Sequence, residues 1–272
     1  MSGPIVVKVG GSVLDEIAHM PGLWQALAEV HELRPCGQGL IVVHGGGRAI
    51  DAQLRALGMK PIKRDGVRVT PPEQIDTVVG VLAGVINTRM VAELRQAHAP
   101  AVGVTLADAG TVTVVREHRL GTGMGLVGRV VGGEASLFQE LLDAARLPVV
   151  ASIGTQGDGQ LLNVNADEAA VGIAECVGAE MLVMLTDVPG VFDADGALIG
   201  CVDAESVEEL IASGVVAGGM IAKLRSAVEA AEHLGCPVLI GSVMQAKSLL
   251  SGVIGSGTRV EPVRVRAMRA QG

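Results

Sequence analysis

The chain has 272 residues, 49% hydrophobic and 18% charged, enough to bury a core as one large domain or two lobes. A net charge of −8, with one Trp, two Phe and no Tyr, supplies neither the basic field nor the stacking surfaces that nucleic-acid binding needs. Cys36, Cys176, Cys201 and Cys236 are far apart, with no C-x-x-C pair and no histidine at ligand spacing, so no metal site or disulfide framework is expected and reduced thiols in a cytoplasmic setting fit best. No charged N-terminal segment leads into a long apolar stretch and no uncharged apolar run reaches membrane-spanning length, so neither export nor membrane insertion is expected.

The first predicted strand, 5–9, is apolar except for Lys8 and runs straight into Gly10-Gly11-Ser12. A buried ammonium is costly without an anion, so Lys8 calls for a carboxylate or a ligand phosphate; the alternative is an edge strand from which it snorkels into water. After a helix near 22–33, a second strand near 40–43 passes through His44 into Gly45-Gly46-Gly47 and a helix near 48–57. Two β-branched runs that stop on consecutive glycines and turn into helices place bare backbone N–H groups at the C-terminal edge of a parallel sheet, where anions dock. Two such turns, one with a lysine, suggest a phosphate-handling crevice.

Residues 61–70 suit an antiparallel hairpin, and Pro71-Pro72 opens the longest helix, near 73–98. Its apolar residues exceed what one face needs, and Gly80 and Gly84, four apart, would let another helix approach closely, either in a dimer or within its own domain. Further strands are predicted near 101–105, 148–152, 181–186 and 237–241, with helices near 136–145, 166–178, 204–213 and 219–234. This alternation predicts a mostly parallel sheet covered on both faces. Residues 111–133 read as a second antiparallel hairpin region, and hairpins over the C-terminal strand edge suit a lid. The tail after Thr258, with Arg259, Arg264, Arg266 and Arg269, reads as a final strand and a frayed end.

Asn163-Val164-Asn165-Ala166-Asp167 opens one helix, where Asn163 or Asn165 suits the cap and Asp167 the first turn. Lys223 follows Gly218-Gly219-Met220 at another helix start, either an anion site or a solvated lysine. The chain has no Gly-Lys dipeptide, which excludes a Walker A loop. Gly123-x-Gly125-x-x-Gly128 is followed by a β-like run, so it reads as a hairpin turn and not a dinucleotide loop. There is no G-x-S-x-G and no H-x-x-x-H.

Taken in order, Lys8-Val9-Gly10-Gly11-Ser12, His44-Gly45-Gly46-Gly47, Gly66-Val67-Arg68-Val69-Thr70, Asn163-Val164-Asn165-Ala166-Asp167, Thr186-Asp187-Val188-Pro189-Gly190-Val191 and Gly218-Gly219-Met220-x-x-Lys223 resemble the amino acid kinase family. The resemblance runs from residue 4 to about 260. It implies an α/β fold, an open αβα sandwich with a mostly parallel central sheet, in which residues 1–175 form an acyl-acceptor lobe that also dimerises and 176–272 an ATP-binding lobe. It further implies that Lys8 and Lys223 flank the transferring phosphoryl group, that Asp167 orients both lysines, and that Gly11 and Gly46 donate backbone N–H groups to it.

Substrate recognition falls, by the same resemblance, to Gly45, Gly46, Arg68 and Asn163. The nucleotide falls to Lys8, Gly10, Gly11, Thr186, Asp187, Val188, Gly190, Val191, Gly218, Met220 and Lys223. The pattern is most similar to members that phosphorylate N-acetyl-L-glutamate on its side-chain carboxylate with ATP and Mg²⁺, the metal arriving on the nucleotide. The alternatives are a kinase for aminoadipate or a carrier-linked substrate, and a non-catalytic binding protein. Arginine-inhibited members carry an extra N-terminal helix that links dimers into hexamers. Because the first strand begins near residue 5, a homodimer that free arginine does not inhibit is expected.

Overall fold

The computed structural model describes residues 3–10, 14, 17–64, 66–253 and 255–263. In chain order the first half contributes β1 (Ile5–Val9), α1 (Pro21–Leu33), β2 (Leu40–His44), α2 (Gly47–Ala56), β3 (Ile62–Arg64), β4 (Val67–Val69), α3 (Ile75–Val79), α4 (Asn87–Gln96), β5 (Ala101–Thr105), β6 (Val112–Arg116), β7 (Val127–Gly133), α5 (Ser136–Asp143), β8 (Leu147–Ala151), β9 (Ile153–Thr155) and β10 (Leu161–Val164). The second half contributes α6 (Ala166–Val177), β11 (Met181–Thr186), β12 (Cys201–Val202), α7 (Ala204–Ala212), α8 (Gly219–Leu234), β13 (Val238–Ser242), α9 (Ala246–Leu250) and β14 (Thr258–Val260).

Eight strands form one sheet in the order β12-β14-β13-β11-β1-β2-β8-β5, parallel except at β13/β14. β1 is therefore central, with β11 and β2 on its two sides, which rules out the edge-strand reading of Lys8. Period-two alternation sorts the side chains of β1. Ile5, Val7 and Val9 join a core layer with α1 and the long helix after Pro72, while Val6 joins the opposite layer with α5, α6 and α8. Lys8, in step with Val6, thus points toward α6. β2 behaves likewise: His44 is in step with Leu40 and Val42, which join the layer of the long helix.

That long helix runs 72–96 but changes pitch, from a 3-10 turn (Pro72–Gln74) through α3 to a π-helical stretch (Gly80–Ile86) and then α4. It is 25 residues long and its most apolar 18-residue window has a mean hydropathy of 1.4, so by length and composition alone it matches a bilayer span. It carries Glu73, Asp76, Arg89, Glu93 and Arg95, so it is not an uncharged apolar run of the kind excluded from the sequence. Its Val78, Leu82, Ile86, Met90 and Leu94 are nevertheless buried in the core.

The two regions predicted as hairpins differ in outcome. β3 and β4 form an isolated antiparallel hairpin. β6 and β7 pair antiparallel but are half of a four-stranded mixed sheet, β6-β7-β10-β9, with β7/β10 parallel. Gly123 to Gly128 lies in the connection between β6 and β7 and at the start of β7, as the turn reading expects. Arg264, Arg266 and Arg269 lie outside the described residues.

Candidate active site

The central strands end in line. Val9 is level with His44 and with Leu185, and His44 with Ala151, so Gly10, Gly45, Ser152 and Thr186 leave the sheet at one edge. Two of these exits carry the glycines on which an anion site was expected. Gly11 and Ser12 lie outside the described residues.

Lys8 Nζ sits 2.9 Å from Asp167 Oδ1. Asp167 is delivered there by the start of α6, whose cap is Asn165: its side chain accepts from the N–H groups of Asp167 (2.8 Å) and Glu168 (3.3 Å). Asp167 is thus free of capping duty and half-exposed, facing the ammonium. Gly10 makes room for this pair, since a Cβ there would lie 2.3 Å from Lys8 Nζ and push the ammonium off its carboxylate. Beside Asp167, burial pushes the Glu168 carboxyl up, while Arg119, 2.8 Å away, works against that rise.

The glycines after β2 pack closely, Gly46 against the long helix and Gly45 against the start of α6. A Cβ on Gly46 would lie 2.2 Å from Ile86 Cδ1, and one on Gly45 would lie 3.1 Å from Ala166 Cβ. Gly46 caps α2, its carbonyl accepting from Ile50 N at 2.9 Å. His44 is fully buried and bonds Gly45 O through Nδ1 (2.9 Å) and Asn87 Nδ2 through Nε2 (3.1 Å). Burial drives its pKa down to about 4.

Arg68 reaches this edge from β4. It is buried, although it stands on a short hairpin. Nη2 donates to Gly47 O (2.7 Å) and pairs with Asp51 on α2, while Nη1 is buried without a hydrogen-bond partner. Lys63 Nζ, 3.5 Å from the same Asp51 carboxylate, flanks it. Asn163, on β10, donates through Nδ2 to Thr70 Oγ1 at 2.9 Å. A cavity of about 190 Å³ brings together Lys8, Gly10, Gly45, Gly46, Arg68, Asn163 and Asp167, with Lys63, Gly47, Ser152 and Asn165 also on its wall. Its wall therefore offers an ammonium, glycine backbone and the Arg68 guanidinium, which suits a small anionic acceptor.

Of the residues expected at the nucleotide, Lys8 and Gly10 line that cavity, Gly11 lies outside the described residues, and those from Thr186 onward stand outside the lining. Thr186 Oγ1 closes a turn by accepting from Val188 N and donating to Val188 O, both at 3.1 Å, with Asp187 exposed between them. Gly190 and Val191 are buried against Thr258, whose Oγ1 accepts from Val191 N at 2.8 Å. Gly218, at φ +59 and ψ −136, caps α8 in a conformation that only glycine adopts readily. Met220 and Lys223 follow on its first turns, Met220 half-buried and Lys223 exposed. α8 leads directly into β13, which runs parallel to β11, so a helix packed back along that strand starts at the sheet edge where Lys8 lies. Among the described residues, Asp167 pairs with Lys8 and not with Lys223.

Sequence reasoning passed over Asp51, Lys63, Thr70, Ser152 and Asn87. Asp51 carried a signal, being one helical turn beyond Gly47 on the buried side of α2. Asn87 carried one too, a polar residue inside an apolar helix.

The amino acid kinase family model matches residues 3–242. Acetylglutamate kinase of Yersinia pestis is 40% identical over 265 residues, covering 96% of this chain and 99% of that protein. Among solved structures, a protein from Streptococcus mutans superimposes with a TM-score of 0.73 at 27% identity, over 96% of this chain and 99% of the other. N-acetylglutamate synthase from Neisseria gonorrhoeae, complexed with coenzyme A and N-acetyl-glutamate, does so with a TM-score of 0.78 at 25% identity, over 95% of this chain and 59% of the other. Carbamate kinase from Giardia lamblia shares the fold at a TM-score of 0.67 and 16% identity. With most of its length matched and its strand-end glycines, Lys8 and Asp167 gathered at one sheet edge, the chain belongs to the amino acid kinase family.

Proposed function

We propose that this protein transfers the γ-phosphoryl group of ATP to the side-chain carboxylate of N-acetyl-L-glutamate, forming N-acetyl-L-glutamyl 5-phosphate in the second step of arginine biosynthesis. A carboxylate oxygen forms the new bond to phosphorus as the bond to the β–γ bridging oxygen breaks, and ADP leaves. The likeness to acetylglutamate kinase over nearly the whole length supports the substrate. The observation that carries the reading is the unpartnered, buried Nη1 of Arg68 in the same cavity as the Lys8–Asp167 pair. A guanidinium held by Asp51 and Gly47 presents its remaining N–H groups to the acceptor's α-carboxylate, and Asn163 lies beside it.

Lys8 neutralises charge on the transferring phosphoryl group from the acceptor side and Lys223 from the nucleotide side, with Asp167 orienting them. Gly11 and Gly46 supply N–H donors. Residues 1–175 form the acceptor lobe and 176–272 the ATP lobe, where the Thr186–Val191 loop and the start of α8 frame the nucleotide and its Mg²⁺. The exposed Gly80, Gly84 and Val85 on the π-helical stretch offer a close-packing face for a homodimer. All four cysteines are free, which suits a cytoplasmic enzyme.

The test is ADP release from MgATP, coupled to trapping of the acyl phosphate by hydroxylamine. Hydroxamate that depends on N-acetyl-L-glutamate supports the reading. Its absence with that acceptor, or faster formation with aminoadipate, would sink it.

A further inference from the structure

We propose that His44 is a positioning residue for phosphoryl transfer: its imidazole holds the Gly45 carbonyl and thereby aims the Gly46 N–H at the cavity that holds Lys8. The proposal rests on the phosphotransfer reading above and adds a residue that does not itself touch substrate.

The hydrogen-bond chain defines the tautomer. Asn87 Nδ2 donates to Val149 O at 2.8 Å, and a carbonyl can only accept, so the carboxamide nitrogen, not its oxygen, is the end that faces β8. The other hydrogen of that nitrogen is directed at His44 Nε2, 3.1 Å away. Nε2 must therefore accept, and the ring's single proton sits on Nδ1, which donates to Gly45 O at 2.9 Å. The neutral imidazole agrees with its complete burial. A protonated ring would set two N–H groups against each other at Asn87.

Anchoring that carbonyl fixes a peptide plane. No cis peptide bond occurs among the described residues, so the Gly45 carbonyl and the Gly46 N–H point to opposite sides of one rigid unit. With the carbonyl turned into the core toward His44, the N–H turns outward, on the side where Gly45 and Gly46 line the cavity. The Gly46 carbonyl is meanwhile committed to Ile50 N. Both carbonyls of the loop are thus tied down while the N–H between them faces the site.

The long helix carries the support. The π-helical stretch ends at Ile86, whose side chain lies where a Cβ of Gly46 would be, and the next residue is Asn87. Gly103 on β5 leaves the space into which Asn87 Oδ1 projects, 2.1 Å from where a Cβ would stand. One turn of helix therefore braces the loop twice, by Ile86 against Gly46 and by Asn87 through His44. π-Helical turns recur at functional sites for this kind of placement.

Two measurements test this. In ¹⁵N-histidine-labelled wild-type protein, the nitrogen shifts of His44 report the tautomer. Nδ1–H is expected, and an Nε2–H ring would overturn the proposal whether or not any variant folds. In steady-state kinetics, H44Q keeps a group for Asn87 but loses the donor to Gly45 O, and kcat should fall by about 10- to 100-fold with the KM values for ATP and N-acetyl-L-glutamate little changed. H44N, whose carboxamide N–H can reach the same carbonyl, should recover most of that loss. A purely structural histidine would lower the melting temperature of both variants and leave the kcat of the folded protein alone, and that result would refute the proposal. If the wild type forms no hydroxamate with N-acetyl-L-glutamate, the assigned substrate fails, while the tautomer still decides the anchoring.

Discussion

Lys8 and Asp167 meet at 2.9 Å although 158 residues separate them in the chain, because β1 is a central strand and α6 begins directly over its end. The pair is partly open to water, so it contributes little to folding. Its value is electrostatic placement.

Replacing Lys8 by Ala is expected to lower kcat far more than it raises either KM, since charge on the phosphoryl group matters most in the transition state. Loss of one preorganised donor typically costs about 3 kcal/mol, or about 100-fold in rate. Lys223→Ala should behave alike. Steady-state rates decide, and near-normal turnover in either variant would remove that lysine from the mechanism.

Arg68 is braced by Asp51 and the Gly47 carbonyl with Nη1 left over. Arg68→Lys should raise the KM for N-acetyl-L-glutamate by about 10- to 100-fold and that for ATP much less, because an ammonium cannot reproduce the fork. Asp51→Asn should act in the same direction, more weakly. Equal effects on both substrates would mark a structural arginine.

Gly46→Ala should destabilise by about 1–3 kcal/mol, because its methyl would lie 2.2 Å from Ile86 Cδ1. Ile86→Val removes that Cδ1 and should restore part of the loss in the double variant. Additive losses in urea titrations would contradict this packing.

His44 titrates near pH 4 when folded against about 6.5 when exposed. Between these values the unfolded chain binds the extra proton, so stability rises with pH, is complete above about 6.5 and is lost as pH falls toward 4. His31, lowered by burial as well, adds in the same direction. For His44 the linkage gives about 2 kcal/mol between pH 7 and pH 5. Urea titrations at the two pH values should show that fall in the wild type and a smaller one in H44N.

A bulky side chain on the π-helical face should split the proposed dimer. Gly84 has open space around its Cβ position, so Gly84→Trp leaves the fold intact. Light scattering should then report half the wild-type mass. A wild-type monomer, or a dimer that survives the substitution, would move the interface elsewhere.

The seven longer helices and the six long parallel strands stand close to where periodicity and turn chemistry place them, because those signals are local: alternation along β1, glycines after β2, Asn165 before α6. The short strands β9, β10 and β12 hold two to four residues, too few for a period to register, and they exist through their neighbours. Lys8, the glycine exits and Asp167 were legible as chemistry that asks for a partner. The residues alone did not name their partners; only the family resemblance, which gives Asp167 the task of orienting both lysines, pointed to the Lys8–Asp167 pair. That Lys8 meets Asp167, that Asp51 holds Arg68, and that Asn87 sets the tautomer of His44 depend on which strand lies beside which and on the side chains that fill the space between layers. No local window of the chain contains that information, because it arises when residues far apart in sequence compete for the same buried volume.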